Sequence, residues 1–132
     1  MIESISINNN IIEYDKKKTS VAYLDEIKIK ECPCSDCHFF VNVITKLYLE
    51  IFQILIKAGT DLEKNLKNEP TGVWCIRDDN DEFVFFQQTY LIKGTILQEK
   101  SFLYTKEEFG FKIEADFIND KKNIIIDLRV IK

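Results

Sequence analysis

The chain is poor in the residues from which most catalytic centres are built. It has one histidine, one methionine, one tryptophan, two prolines, two arginines and four glycines in 132 residues. Four glycines exclude the Gly-rich loops that cradle phosphates. Any Cys-His or Ser-His-Asp centre has to use His38, and no third orienting group accompanies it. The methionine is Met1, so no internal thioether is available as a haem ligand. Basic residues are also outnumbered, 18 Lys plus Arg against 22 Asp plus Glu, for a net charge of −4. With no dense basic face, the pattern argues against nucleic acid. Lys16-Lys17-Lys18 lies between two apolar stretches and reads as a loop. Met1-Ile2-Glu3-Ser4-Ile5 shows neither the basic nor the apolar region of a signal peptide, which predicts a cytoplasmic protein with reduced thiols.

What remains is the balance of a globular chain. The hydrophobic share is 45% and the charged share 30%. That excludes a disordered tail, a collagenous repeat and a membrane bundle. The length fits a single domain over residues 1–132.

The longest regular pattern runs from His38 to Ala58. Its polar residues are Asn42, Lys46, Glu50, Gln53 and Lys57, spaced by four, four, three and four. One narrow polar stripe on an apolar cylinder predicts a long buried helix over about 37–58. Ser35 or Asp36 supplies the N-cap and Gly59 the stop. Lys46, Glu50 and Lys57 argue against a membrane span, because each costs about 2.5–3.5 kcal/mol near a bilayer centre. Thr60 to Glu63 has capping-box spacing and predicts a short helix to about Leu66, with Pro70-Thr71-Gly72 closing the helical part.

Elsewhere the period is two. Strands are expected over 2–7, 11–14, 21–30, 73–77, 83–92 and 95–100, with a break at Gly94. Phe109, Phe111, Ile113, Ala115 and Phe117 alternate with polar residues, and so do Ile124, Ile126, Leu128 and Val130. These last two runs predict an antiparallel hairpin. Trp74, Phe83, Phe85 and Phe86 read as core. The expected fold is α+β: one long helix on a mainly antiparallel sheet of five or six strands. A helix apolar nearly all round needs a curved sheet or a second subunit, hence a homodimer, to cover it.

The concentrated chemistry is Cys32-Pro33-Cys34-Ser35-Asp36-Cys37-His38, with Cys75 further on. Four readings compete. The thiols could be inert core residues. Cys34 and Cys37 form a C-x-x-C, a redox pair if it sits where a strand opens a helix, as in thioredoxin. The stretch from Pro70-Thr71 into strands also resembles thioredoxin, but the helical unit expected before it is missing. Cys32, Cys34, Cys37 and either Cys75 or His38 could give four ligands to zinc, although paired knuckles are absent. Cys34-x-x-Cys37-His38 also has the spacing for haem attachment, which requires export. The acidic turn Asp78, Asp79, Asp81, Glu82 lacks the glycine and distal glutamate of a calcium loop. It is a candidate contact for a basic protein partner.

The order of Cys34-Ser-Asp-Cys37, Gly59-Thr60-Asp61-Leu62-Glu63-Lys64 and Tyr90-Leu-Ile-Lys-Gly94 resembles a group of small uncharacterised bacterial proteins. In that group a C-x-x-C turn opens a long helix and an antiparallel sheet follows. The resemblance spans about residues 25–130 and implies a fold without an activity. In size and charge the chain also resembles immunity proteins that neutralise bacterial toxins. The expected function is therefore a non-catalytic binding protein with no cofactor. The alternative is a redox or metal protein using Cys32, Cys34 and Cys37.

Overall fold

The computed structural model describes residues 2–66 and 72–132. The fold is α+β. Its seven strands are β1 (Glu3–Ile7), β2 (Asn10–Tyr14), β3 (Trp74–Arg77), β4 (Phe83–Ile96), β5 (Ser101–Glu108), β6 (Phe111–Asp120) and β7 (Asn123–Ile131). All pair antiparallel, in the order β1-β2-β4-β7-β6-β5, with β3 also on β4.

The hairpin expected at the C-terminus is present as β6 and β7, in register from Lys112 opposite Ile131 to Asp120 opposite Asn123. Its alternation has the predicted sense. Ile113, Ala115, Phe117, Ile124, Ile126, Leu128 and Val130 are all buried on one face. Phe86, Tyr90 and Ile92 of β4 continue that face. Gly94 does not break β4, which runs unbroken through it to Ile96. Glycine is needed there because a Cβ would run into the main chain of Glu13 on β2. Phe109 falls outside the strand, left-handed at φ 52° and exposed, in the turn between β5 and β6. The expected strand over 95–100 gives way to β5, which begins at Ser101.

No single long helix spans 37–58. That stretch divides into α2 (Ser35–Asn42), a 3-10 turn (Ile44–Lys46) and α3 (Glu50–Lys57), the two arms bent by 87°. The bend has local causes. The Thr45 hydroxyl donates to the Val41 carbonyl at 2.7 Å, a back-bond that bends helices. Tyr48 then sits left-handed at φ 56°. The bend also answers the covering problem, because one sheet face cannot bury a straight cylinder that is apolar all round. Once folded back, Phe40 and Phe52 meet edge to face with centroids 6.3 Å apart in one core. The polar stripe survives: Asn42, Lys46, Gln53 and Lys57 are exposed and Glu50 is half-buried. Among the described residues, no single helix is long and apolar enough to cross a membrane.

The N-terminal part departs further. Lys16-Lys17-Lys18 belongs to a helix, α1 (Lys16–Ala22), capped by the Asp15 carboxylate on the Lys18 N–H at 3.0 Å. The expected strand over 21–30 is replaced by this helix, a loop and a 3-10 turn (Ile29–Glu31); only Lys28 makes an isolated bridge, to Lys64. The short helix expected from Thr60 is a turn. Asp61 uses its carboxylate on the Glu63 N–H instead of continuing a helix.

Helix α1 does work that a strand could not. Strand β4 is edged by β3 as far as Gln87 and by β2 from Gly94. Between them, hydroxyl groups take the place of a strand. Tyr23 Oη accepts from the Leu91 N–H at 2.8 Å and donates to the Leu91 carbonyl at 3.3 Å. Thr60 Oγ1 donates to the same carbonyl, and Thr19 Oγ1 accepts from the Lys93 N–H at 3.0 Å. Backbone donors and acceptors at this gap are therefore met by side chains.

Candidate metal centre

The cysteine cluster lies where the 3-10 turn hands over to α2, so the expected strand before it is absent. Cys32 caps the 3-10 turn, its N–H donating to Ile29 at 3.0 Å. Pro33 follows, and Cys34 is the N-cap of α2, extended at φ −72° and ψ 150°. Cys37 lies on the first turn of α2 and is buried.

The three sulfurs converge. Cys32 Sγ and Cys34 Sγ are 3.3 Å apart, Cys34 Sγ and Cys37 Sγ 3.1 Å, and all three lie within 4.8 Å of one another. These separations are too long for a disulfide, whose sulfurs are about 2.05 Å apart; all four cysteines are free thiols. Two sulfurs accept main-chain hydrogen bonds: Cys34 from the Cys37 N–H and Cys37 from the Val73 N–H, each at 3.3 Å. Such donors stabilise thiolate over thiol.

A second segment closes over the sulfurs. Gly72 passes so close that an added Cβ would stand 2.7 Å from Cys37 Sγ and 3.2 Å from Cys32 Sγ. Its φ of 100° also suits glycine alone. Buried Asn65 holds it there, accepting from the Gly72 N–H at 2.8 Å and donating to the Gly72 carbonyl at 3.0 Å. Asn65 is anchored in turn by its own N–H to the Ile27 carbonyl at 2.8 Å. Sequence reasoning passed over Asn65, for no motif marks an asparagine that pairs with main chain seven residues on. Of the predicted closing turn, Pro70-Thr71 and its thioredoxin likeness lie outside the described residues.

The thiols differ in their protonation. Burial alone would raise Cys34, but hydrogen bonds from the Cys37 thiol, the Cys37 N–H, the Cys32 thiol and the Asp36 N–H outweigh it and lower its pKa. Burial, then the hydrogen bond to Cys34, pushes Cys37 up to about 12. An N-cap thiol facing the positive end of a helix is the expected place for a thiolate.

Cys75 and His38 do not join the group. Among the described residues, Cys32, Cys34 and Cys37 form the one set of three or more potential ligands. His38 is exposed. Cys75 is half-buried on β3, raised to about 11 by burial and then by the Asp36 carboxylate. Asp36 also pairs with Arg77, which reaches Asp81 as well. That ion pair ties β3 to the opening turn of α2 beside the sulfurs.

The acidic turn partly serves itself. Asp78 Oδ1 accepts from the N–H groups of Asn80 and Glu82, at 2.9 and 3.0 Å, and Glu82 faces Lys132 at 3.5 Å. Trp74, expected in the core, is instead 67% exposed, beside Ile76 at 40%. Their partners across β4 are Gln87 and Phe85, on the sheet face that carries Arg129 with Glu114, Asp116 and Asp127.

Comparisons with protein-family models, with curated proteins and with solved structures found no match.

Proposed function

We propose that this chain is a non-catalytic, cysteine-ligated metal protein that presents β3 to a protein partner. The observation that carries it is the convergence of three thiols from residues 32–37, two of them bonded to main-chain N–H groups. Zinc is the ion such ligands favour in tetrahedral geometry. At about 2.3 Å from zinc, two thiolates in that geometry stand roughly 3.8 Å apart. Cys34 Sγ, at 3.3 Å from Cys32 Sγ and 3.1 Å from Cys37 Sγ, needs to open by only about 0.5 and 0.7 Å to reach that spacing. Cys34 is exposed, so the fourth position falls to water or an outside ligand.

A metal there would fasten α2 to the segment around Gly72 and Val73, which leads directly into β3. β3 carries Trp74 and Ile76 outward, and aromatic anchors of this kind dominate protein contacts. The acidic turn of Asp78, Asp79, Asp81 and Glu82 follows immediately and suits a basic partner.

Native mass spectrometry of reduced protein, with a zinc titration, tests the centre. One zinc per chain is expected, and serine at position 32, 34 or 37 should weaken it more than about a hundredfold, beyond the loss from an outer-shell change. Serine at position 75 should cost less. A metal-free chain that gains no zinc on titration would sink the reading.

The opposite shifts of Cys34 and Cys37 favour a second reading, a dithiol redox pair. Here Cys34 thiolate attacks an oxidised substrate disulfide, and Cys37 resolves the mixed disulfide after losing its proton. It predicts zinc-independent reduction of a small disulfide, lost in Cys34→Ser and insensitive to Cys32→Ser.

A further inference from the structure

At the C-terminal end of β4 lies a cavity of about 980 Å³ that no cysteine lines. Three elements meet at it. Helix α1 brings Lys17 and Lys18, β4 brings Lys93, and the β6–β7 turn brings Lys122. Main-chain bonds fix them together. The Asp15 N–H donates to the Lys93 carbonyl at 2.9 Å, and the Gly94 N–H donates to the Lys122 carbonyl at 3.0 Å. The Lys93 N–H donates to Thr19 on α1.

The sign of the charge is locally inverted. The chain carries −4 overall, yet four lysines surround one cavity. Five lysines elsewhere are ion-paired: Lys30 and Lys46 with Glu63, Lys106 with Glu50, Lys112 with Glu114, Lys132 with Glu82. Among the described residues, Lys17, Lys18, Lys93 and Lys122 form no ion pair. Asp15 also lines the cavity, its carboxylate capping α1 and attracting the Lys18 ammonium as well. Four ammonium groups against one carboxylate leave a local positive excess, and an anion among them relieves their repulsion. The β6–β7 turn even holds Lys121 at φ 60°, where glycine or asparagine would be less strained.

The rest of the wall is mixed, with Thr95 and Asn123 beside aliphatic side chains. Ile2 and Val21 line it while 61% and 55% exposed. A free phosphate would leave them bare. The volume is in the range of small-molecule sites, about 300–1,000 Å³.

We propose that this cavity binds a small amphiphilic anion: a phosphate monoester headgroup among the four lysines and an aliphatic body over Ile2 and Val21. Lysine ammonium groups suit a phosphate as movable point charges. Nothing in this depends on the thiol centre.

Calorimetric titration of the full chain with n-octyl phosphate, inorganic phosphate and n-octyl glucoside tests it. Saturable one-to-one binding of octyl phosphate is expected, with inorganic phosphate at least about tenfold weaker, from the lost burial of the alkyl chain. The neutral glucoside should not bind. The double variant Lys93→Gln, Lys122→Gln should weaken octyl phosphate about tenfold through lost charge-assisted hydrogen bonds. Val21→Asp should weaken it as well, while Lys112→Gln on the sheet should not. Unchanged circular dichroism confirms folding of each variant. The proposal falls if octyl phosphate does not saturate, if inorganic phosphate binds as tightly, or if the lysine variant binds unchanged. It falls equally if the chain associates only with phosphatidic acid vesicles and not with the monomeric ester.

Discussion

Gly72 carries more of the thiol site than its lack of a side chain suggests. It is left-handed, and two sulfurs fill the space a Cβ would take. Gly72→Ala should destabilise the fold by about 1–3 kcal/mol through strain at positive φ and loosen zinc as well. Urea unfolding and metal titration of the variant would show both losses; a variant with unchanged metal affinity would separate Gly72 from the site. Cys37 contributes to the pH dependence, and Cys75, raised to about 11, acts in the same sense. The Cys37 pKa rises from the ordinary 9.0 to about 12 on folding. Between those values the native thiol keeps a proton that the unfolded chain has released. Metal-free protein should therefore hold its stability below about pH 9 and lose it as pH climbs towards 12, because the native state there binds more protons. The lowered pKa of Cys34 acts in the opposite sense, on an exposed group. Urea midpoints measured from pH 8 to 10.5 should fall, and fall less steeply in Cys37→Ala.

At the scale of elements, the 87° break between α2 and α3 decides the shape of the core. Tyr48 bears its strain, left-handed and 78% exposed, with little side-chain burial to offset it. A non-glycine residue there costs about 1–2 kcal/mol. Tyr48→Gly should therefore stabilise the chain by about 0.5–1 kcal/mol, after the extra entropy of glycine is subtracted. Tyr48→Val should destabilise it, since a branched Cβ is least tolerated at positive φ. Thermal unfolding of the pair checks the sign. If the stripe of Asn42, Lys46, Glu50, Gln53 and Lys57 specified one straight helix, both changes would have the opposite order, because valine is the better helix former.

On the scale of the molecule, the thiol centre joins segments far apart in sequence. Residues 32–37 meet 72–73, and Asn65 bridges from the loop between. A metal that binds only the folded chain adds stability by mass action, about 4 kcal/mol when free metal is a thousandfold above Kd. Stripping zinc with a chelator should lower Tm by about 10 °C or more for a chain of this size. The Cys32→Ser variant should show no such drop. The sheet beneath should remain, because pairing among β4, β6 and β7 themselves sets its register.

Period-two alternation alone determined the β6–β7 hairpin, because a sheet with one buried face demands it. Ile124, Ile126, Leu128 and Val130 point inward as their spacing requires. The stripe from Asn42 to Lys57 likewise fixed which side chains stay wet. The spacing of Cys32, Cys34 and Cys37 placed their sulfurs near one another, since residues two and three apart at a helix start cannot separate far. Tertiary structure decided the remainder. Where α2 ends depends on a Thr45 back-bond and on a core too small for a straight cylinder. Whether 16–22 is helix or loop depends on hydroxyls being needed along an unpaired stretch of β4. Cys75 was left out, and Asn65 and Gly72 brought in, by contacts across the fold that no local pattern encodes.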